Sequence, residues 1–291
     1  MISKIEKAVS TYSIVGFDPE TGEIGVAVQS KFLAAASVVP WVRAGAGAVA
    51  TQSWANTAYA EPALKMMEFG VHPEEILKFL TANDDQRSLR QVGLVDSRGR
   101  SATFTGNECM DWAGGICGEN FAAQGNILVS EATVKAMAET FTSVKDDLSE
   151  RLALSLEAGQ KAGGDSRGMQ SAGLYIAKAG GGYGGFNDRY VDIRVDDHTD
   201  PIKELKRILV LWRLQFFRTK PGNIAEIKGE TKDFILDLLA REAYYKGPKG
   251  EWNSEMQKAF TSFCLANNFE EREVPEGQID REVLDYLKSA F

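Results

Sequence analysis

The sequence predicts an α+β fold: a four-layer αββα sandwich followed by a small C-terminal helical bundle. The main observation is the order of elements in the first 195 residues, where β-rich runs and amphipathic helical segments come in blocks. The blocks are four strands, two helices, three strands, two helices and two strands. This order is neither the strict βαβα alternation of a parallel sheet nor an all-β sandwich, whereas two sheets between two helical layers accommodate it. From Asp200 onward the composition shifts to helix.

The first block opens with a β-hairpin. Residues 11–16 and 23–29 are rich in β-formers, and the FDPETG segment between them supplies Asp-Pro and Gly for the turn. A second extended pair is predicted at residues 38–44 and 46–52. Two helices follow at residues 58–69 and 73–80, and Pro73 suits the first position of the second helix.

The later blocks follow from the same patterns. QVGLVDSRGRSATFTG reads as a hairpin, and FAAQGNILVS as a further strand. Apolar residues at helical spacing predict helices over 134–141 and 148–162, followed by strands in QSAGLYIAKA and YVDIRV. A helix beginning after Asp200 and three further amphipathic helices, at 234–243, 255–265 and 280–287, complete the chain.

Chain length and these boundaries together predict two domains. The chain has 291 residues, which is long for one compact domain and short for three. We expect a leader at residues 1–10, the αββα domain at 11–199, a connecting helix at 200–218 and a helical domain at 219–291.

The amino-acid composition limits the classes of binding partner and the cellular compartment that we expect for this protein. A formal net charge of −8 disfavours nucleic acid as a partner, because an acidic surface repels a phosphate backbone. No apolar run is long enough to span a bilayer, and the first ten residues lack the apolar region of a signal peptide, so we expect no membrane partner and no export. Three cysteines without CxxC spacing fit a reducing cytoplasm. We expect a small-molecule substrate, no cofactor, and a homo-oligomer, since edge strands and an acidic surface make association plausible.

Thr11 is the first residue to which chemistry can be assigned. A threonine that opens a strand becomes a nucleophile if its own α-amino group is freed to act as the base. An α-amine suits that role, since its ordinary pKa of about 7.7–8.0 lies close to neutral pH. The alternative is an ordinary β-branched strand residue. Lys31, after the second strand, either holds an oxyanion beside Thr11 or is a surface lysine at a strand end.

Polar residues at strand ends and in one loop are candidates for substrate binding. Gln52 and Asn56 either line a pocket or cap the next helix, and Gln124 and Asn126 either face a substrate or form a buried hydrogen-bond network. Asn126 is also a candidate for oxyanion stabilisation. The glycine-rich segment 163–171 reads as a site loop, and the strand predicted over 188–198 adds two charged residues at its start. These further substrate-binding candidates are Asp165, Arg167, Gln170, Ser171, Asp188 and Arg189.

The sequence predicts no metal site, although one strand carries residues of the types that bind metals. Asp192 and Asp196 alternate with apolar residues, and Asp197 and His198 follow directly. Carboxylates and an imidazole could hold a divalent ion. Arg194 lies within the set and competes with any cation, so a solvated face of salt bridges is the alternative.

Several segments together resemble one family. STYSIVGFDPETGEIGVAVQSKF, VVPWVRAGAGAVATQ, RQVGLVDSRGR, QGNIL, DSRGMQSAGL, GGYGGFNDRYVDIRVDDH and DPIKEL resemble the bacterial domain-of-unknown-function 1028 family. The C-terminal segments EWNSEMQKAFTSFCLANNF and IDREVLDYL resemble the peptidoglycan-binding helical module that accompanies some of its members.

The resemblance implies an N-terminal-nucleophile (Ntn) hydrolase fold, because the family is similar to those αββα hydrolases. It implies that Thr11 occupies the position that removal of Met exposes in many relatives; ten residues precede it here. The place of the aspartate that proteasome-type relatives carry falls at about Gln29. The leading hypothesis is therefore an Ntn-type hydrolase acting on an amide or related acyl bond of a small molecule. The alternative is a non-catalytic ligand- or metal-binding protein on the same scaffold.

Overall fold

The computed structural model of the protein describes residues 11–291, and these form two compact units. The first unit ends at Arg207 and the second is Ile208–Phe291. The predicted leader, residues 1–10, lies outside the described residues.

The first unit contains two antiparallel sheets built from ten strands. These are β1 Thr11–Phe17, β2 Ile24–Ser30, β3 Pro40–Arg43, β4 Gly47–Ser53, β5 Arg90–Asp96, β6 Ser101–Thr105, β7 Gly114–Gly118, β8 Phe121–Asn126, β9 Ser171–Ala177 and β10 Arg189–Val195. The larger sheet has six strands in the order β10-β9-β2-β1-β8-β7, and the smaller has four in the order β3-β4-β5-β6. β1 is therefore an interior strand, paired with β2 on one side and β8 on the other.

Side chains from both sheets pack against one another. Val15, Val26 and Val28 of the six-stranded sheet share one buried cluster with Ala48 and Val95 of the four-stranded sheet. Because side chains alternate along a strand, every second residue of β1 faces this interior and the others face away.

Helices cover the outer faces of the two sheets. The helices of the first unit are α1 Ala60–Glu68, α2 Pro73–Ala82, α3 Ala132–Ser143 and α4 Leu148–Lys161. α1 and α2 contact the four-stranded sheet, and α3 and α4 contact the six-stranded sheet. Tyr12 of β1 lies on the outer face of the six-stranded sheet, where its hydroxyl donates to the Leu156 carbonyl of α4 at 3.3 Å.

The second unit is mainly helical. After α5 (Pro201–Phe216), which crosses the boundary between the units, come β11 Ile224–Glu226, α6 Gly229–Arg241, α7 Ser254–Ala266, β12 Gln278–Asp280 and α8 Arg281–Ala290. Its core brings together Leu239, Phe260, Phe263 and Leu287. None of the helices within residues 11–291 combines the length and the apolar character needed to span a bilayer.

The predicted α+β class and the C-terminal helical region are confirmed. The described residues form several antiparallel sheets and eight α-helices. Three short strands were not predicted. β7 reads GGICG and contains one β-branched residue, while β11 and β12 are three residues each and carry no alternating pattern.

A buried carboxyl beside the first hairpin makes the stability of the fold dependent on pH. The Glu23 side chain is 6% exposed and accepts from Lys178 Nζ at 2.9 Å. Burial raises the pKa of Glu23 above its ordinary value, against the opposing effect of Lys178. The folded chain thus binds this proton more tightly than the unfolded chain, so stability falls as pH rises through the folded pKa.

We therefore expect the free energy of unfolding of the wild type, relative to Glu23→Gln, to decrease as pH rises from about 4, near the ordinary pKa of glutamate, through the raised pKa of Glu23. Urea denaturation of both proteins across that range measures the difference. Glu20→Gln, at an exposed position in the same turn, is the matched control and should show no such trend. A wild-type advantage that grows with pH would contradict the expectation.

Candidate functional site

Thr11 begins β1 in the interior of the six-stranded sheet. It lies opposite Ser30 at the end of β2 and opposite Asn126 at the end of β8. Its hydroxyl is buried and donates to Ser30 Oγ at 3.1 Å. The predicted nucleophile and one predicted partner, Asn126, therefore share one end of the sheet, which we call the Thr11 end.

Seven polar side chains form a buried layer between the two sheets at the Thr11 end. We call this set the amide layer; its members are Thr11, Ser13, Ser30, Gln52, Gln91, Gln124 and Asn126, all 0% exposed. Ser13 Oγ donates to Gln52 Oε1 at 2.6 Å and accepts from Gln124 Nε2 at 2.7 Å. Gln52 Nε2 in turn donates to the Thr11 carbonyl at 3.3 Å. Three predicted residues, Gln52, Gln124 and Asn126, thus belong to one network with Thr11.

Gln91 is a member of the amide layer that sequence reasoning missed. Its Oε1 accepts from Gln52 Nε2 and from Asn126 Nδ2, both at 2.9 Å. Its Nε2 donates to the Gly125 carbonyl at 2.7 Å. Gln91 therefore ties the four-stranded sheet to the strand that flanks Thr11. The signal that could have found it is an amide opening the otherwise apolar strand QVGLV, the same feature that singled out Gln124.

Two residues with strained backbone conformations lie at the Thr11 end of the sheets. Ser53, directly after Gln52, has φ of 63°, and Ile127, directly after Asn126, has φ of 53°. Non-glycine residues rarely adopt this left-handed conformation, and such strain concentrates at functional sites. The two amides thus lie where the chain turns sharply.

Lys31 lies at the Thr11 end, and its charge is engaged elsewhere. The side chain is exposed and Nζ donates to the Met169 carbonyl at 3.1 Å. Its backbone N–H donates to Asp165 Oδ2 at 3.0 Å. Lys31 reaches an oxyanion at Thr11 only after its ammonium leaves the Met169 carbonyl.

The glycine-rich loop joins the same end through its polar residues. Asp165 is buried and pairs with Arg167 at 3.4 Å. Ser171 lies opposite Ser30; its hydroxyl donates to the Phe32 carbonyl at 2.6 Å and accepts from the Ala35 N–H. The bonds of Asp165 and Ser171 fix the segment that follows β2.

Gln170 follows the same pattern. Its backbone N–H donates to the Ser30 carbonyl at 3.0 Å, and its side chain donates to Asp197 at 3.1 Å. Arg167 Nε and Nη2 both reach the Asp165 carboxylate. The hydrogen bonds of these loop residues therefore hold the Thr11 end of the sheet in place. The four residues are Asp165, Arg167, Gln170 and Ser171.

Gln29, where the resemblance to proteasome-type hydrolases predicted the place of an aspartate, lies on the other face of the sheet. It is opposite Tyr12, whose side chain faces α4, so alternation turns Gln29 away from Thr11. Among the described residues neither of its side-chain amide atoms has a hydrogen-bond partner. A carboxylate equivalent is therefore absent from this register position.

Asn56, predicted either to line a pocket or to cap the next helix, caps the short helical turn that follows it. Its Oδ1 accepts from the Ala58 N–H, and its Nδ2 donates to Asp84 at 3.1 Å. Asp84 also accepts from Arg90 and Tyr59. Partial burial by itself raises the pKa of Asp84, but these hydrogen bonds outweigh burial and hold that pKa far below its usual range.

Asp188 and Arg189, two further substrate-binding candidates, lie at the opposite end of the sheet from Thr11. Arg189 is paired with Ala177, which is opposite Ile24, whereas Ser171 is opposite Ser30. Six residues of strand separate the two ends, or about 20 Å. Asp188 accepts from the Gly180 N–H there, and Arg189 stacks over the Tyr175 ring at 5.5 Å.

The weak metal set does not assemble. Residues 11–291 contain no group of three or more His, Cys, Asp or Glu arranged to hold an ion. Asp192 pairs with Arg194 at 3.0 Å, which is the competition that the sequence indicated. Asp197 accepts from Gln170, and His198 Nδ1 accepts from the Asp200 N–H. Asp196 contributes its backbone carbonyl to the Ala34 N–H.

Two segments of the chain match known protein families. Residues 11–205 match the model described as "Family of unknown function (DUF1028)". Residues 215–287 match the model described as "Putative peptidoglycan binding domain". A crystal structure of a Silicibacter pomeroyi protein assigned to the DUF1028 model is similar at 28% identity, with a TM-score of 0.63, over 77% of this chain and 93% of that chain. No protein with curated annotation matched.

Proposed function

Because the chain belongs to the DUF1028 family through residues 11–205, we propose a function for that segment as a whole: an Ntn-type hydrolase of an amide or related acyl bond in a small molecule. The observation that carries the proposal is the position of Thr11. It is the first residue matched to the family, the first of an interior strand, and a member of the amide layer.

The arrangement of layers supports this proposal. With α1 and α2 on one sheet, α3 and α4 on the other, and the two sheets face to face, the first unit reads as a four-layer αββα sandwich of the Ntn type. In that reading the predicted domain 11–199 is the catalytic one, residues 200–218 connect, and 219–291 form the helical domain. Fold likeness alone does not fix a reaction, so the chemistry rests on Thr11.

The proposed reaction begins with hydrolysis of the Ser10–Thr11 peptide bond, which frees the α-amine. The amine takes the proton of the Thr11 hydroxyl while Oγ1 forms a bond to the acyl carbon of the substrate. The tetrahedral intermediate then expels the amine or alcohol, which receives that proton. Water, deprotonated by the same amine, cleaves the resulting ester and restores Thr11.

Oxyanion stabilisation is proposed for Asn126, with Lys31 as a second donor. Asn126 is opposite Thr11 in the strand register, and its Nδ2 is oriented by Gln91. Preorganised donors in a buried site are worth several kcal/mol of transition-state stabilisation, about 2.7–4 kcal/mol for one donor. Gln52, Gln124 and Gln91 act as positioning residues, and the Asp165–Ser171 loop closes the substrate side.

Intact mass with N-terminal sequencing of the protein from its own host tests the premise. The proposal expects a mature chain that starts at Thr11, since only that chain has the free amine. A chain that retains residues before Thr11 would overturn the amine-as-base mechanism. It would favour the alternative, a ligand-binding protein on the same scaffold, for which no new N-terminus is required.

The match of residues 215–287 favours a second function for the second unit. We propose that it binds peptidoglycan. Cosedimentation of the full chain with insoluble peptidoglycan measures this directly, with insoluble cellulose as the control polymer. Equal recovery in both pellets would contradict specific binding.

A further inference from the structure

Asp165 takes a backbone hydrogen-bond position in the six-stranded sheet directly beyond Thr11. In the β1–β2 ladder the Asp18 N–H donates to the Glu23 carbonyl at 2.8 Å, and bonded pairs recur at every second residue of an antiparallel ladder. The register therefore turns the Lys31 N–H toward the position that precedes Thr11 in the ladder. That N–H donates to Asp165 Oδ2 at 3.0 Å. The carboxylate thus lies at the sheet position next to the backbone nitrogen of Thr11.

The strand on the other side of Thr11 is joined to the same loop. After β8, the Ile127 carbonyl accepts from the Ser166 N–H at 3.0 Å, and Leu128 forms an isolated antiparallel bridge with Asp165. The loop segment therefore lies between the continuations of β2 and β8, the two strands that flank β1. This places it in line with β1, directly off the Thr11 end of that strand.

Asp165 carries a buried charge at this position. Its side chain is 0% exposed and pairs with Arg167 at 3.4 Å, whereas the Arg167 side chain is 39% exposed. A buried carboxylate is screened less by water than an exposed one, so it stabilises a neighbouring ammonium more strongly. The α-amine of a mature chain that begins at Thr11 would be such a neighbour.

Charged groups from the neighbouring elements are engaged or face away. On the β2 side the Lys31 ammonium is exposed and donates to the Met169 carbonyl at 3.1 Å. Residues 126–130, from the end of β8 onward, carry no charge. In the four-stranded sheet, alternation turns Arg90 away from the amide layer, and it pairs with Asp84 at 2.8 Å. The loop carboxylate and its guanidinium partner therefore supply the charge next to the amine.

We propose that Asp165 is a positioning residue for the α-amine that the hydrolase mechanism requires; the inference rests on that proposed function. One amine hydrogen donates to Asp165, so that the nitrogen lone pair faces Thr11 Oγ1. When the amine takes the hydroxyl proton, the carboxylate stabilises the ammonium that forms, and Asp165 itself stays ionised. The ammonium then gives that proton to the leaving group. Nucleophile, base and orienting group thus follow the logic of a Ser-His-Asp triad.

The pH dependence of Thr11 acylation tests this role, with a β-lactone as the probe that acylates an activated hydroxyl by ring opening. Intact mass spectrometry of the mature chain gives the acylation rate from about pH 5 to pH 9, and the rate should rise with the fraction of neutral amine. Asp165→Asn removes the charge that favours the ammonium, so the midpoint of this rise should move to lower pH by about one unit or more. The rate above the midpoint should fall by at least about tenfold, because the amine is no longer oriented.

Arg167→Gln tests the same electrostatic effect with the opposite sign. It removes a positive charge beside the carboxylate, so the midpoint should move to higher pH. Glu20→Gln is the matched control, since it neutralises an exposed carboxylate in the β1–β2 turn, at the far end of the hairpin from Thr11; rate and midpoint should stay unchanged. A purely structural Asp165 would lower the rate through loss of folded protein and leave the midpoint where it is in the wild type.

The hydrolase proposal and the role of Asp165 fail in different ways. A mature wild-type chain that is not acylated at Thr11 would overturn the hydrolase and, with it, the role of Asp165. Acylation of the wild type, together with an unshifted midpoint in Asp165→Asn and Arg167→Gln, would overturn the role of Asp165 alone. If urea denaturation shows that Asp165→Asn does not fold, the direction of the shift in Arg167→Gln decides.

Discussion

Replacing Thr11 by alanine should abolish covalent acylation of the mature chain by a β-lactone. The hydroxyl of an activated threonine opens the strained ring and forms an ester whose mass is added to the protein. Because Thr11→Ala removes the only atom that forms this bond, we expect labelling to fall by at least about a thousandfold. Intact mass spectrometry after a fixed exposure measures the adduct, and peptide mapping locates it.

Two controls give this experiment its meaning. Thr11→Ser keeps a hydroxyl in the same place and should retain labelling, whereas a purely structural threonine would make no such distinction. Thr21→Ala removes an exposed hydroxyl in the β1–β2 turn and should leave labelling unchanged. An adduct that persists in Thr11→Ala, or that maps to another hydroxyl, would rule out Thr11 as the nucleophile.

Local patterns were sufficient to predict most elements of the first unit. The first hairpin was expected at residues 11–16 and 23–29, and its strands are Thr11–Phe17 and Ile24–Ser30. Pro73 begins α2 as predicted. Such elements are fixed by neighbours in the chain, through turn residues, caps and periodicity.

One strand of the first unit, β7, could not be predicted in this way, although its partner β8 is the next strand along the chain. β7 has the sequence GGICG, which favours a loop, and it becomes a strand because it pairs with β8 along five positions. Pairing in a sheet is a tertiary contact, and it overrides weak local preference.

The site shows the same division between local and distant information. An amide inside an apolar strand signals a buried network, so Gln124 and Asn126 were found. Nothing near Gln91 in sequence indicates that it meets Asn126, because that contact joins two different sheets. The distance of Asp188 and Arg189 from Thr11 was not predicted for a related reason: a strand pattern identifies a face of the sheet and not an end.

Gly93→Ala should strongly destabilise the first unit, because Gly93 provides the space for the amide layer. A Cβ at this position would lie 2.0 Å from Gln124 Oε1 and 2.4 Å from Gln124 Cδ. Gln124 cannot simply move aside, since its Nε2 donates to both the hydroxyl and the carbonyl of Ser13. We expect a loss of about 2–4 kcal/mol in the free energy of unfolding, from overpacking together with broken buried hydrogen bonds.

Urea denaturation of a double-mutant cycle assigns this loss to Gln124. The Gln124→Ala background removes the side chain with which the new Cβ would clash. In that background, Gly93→Ala should lower the free energy of unfolding by less than it does in the wild type, and the difference should be at least about 1 kcal/mol. Gly250→Ala, where a Cβ meets nothing within 4 Å, should be close to neutral. If Gly93→Ala costs the same with and without the Gln124 side chain, the strain lies elsewhere. A positive coupling instead means that a glycine on the four-stranded sheet holds the amide layer beside Thr11, and that the two sheets build the site together.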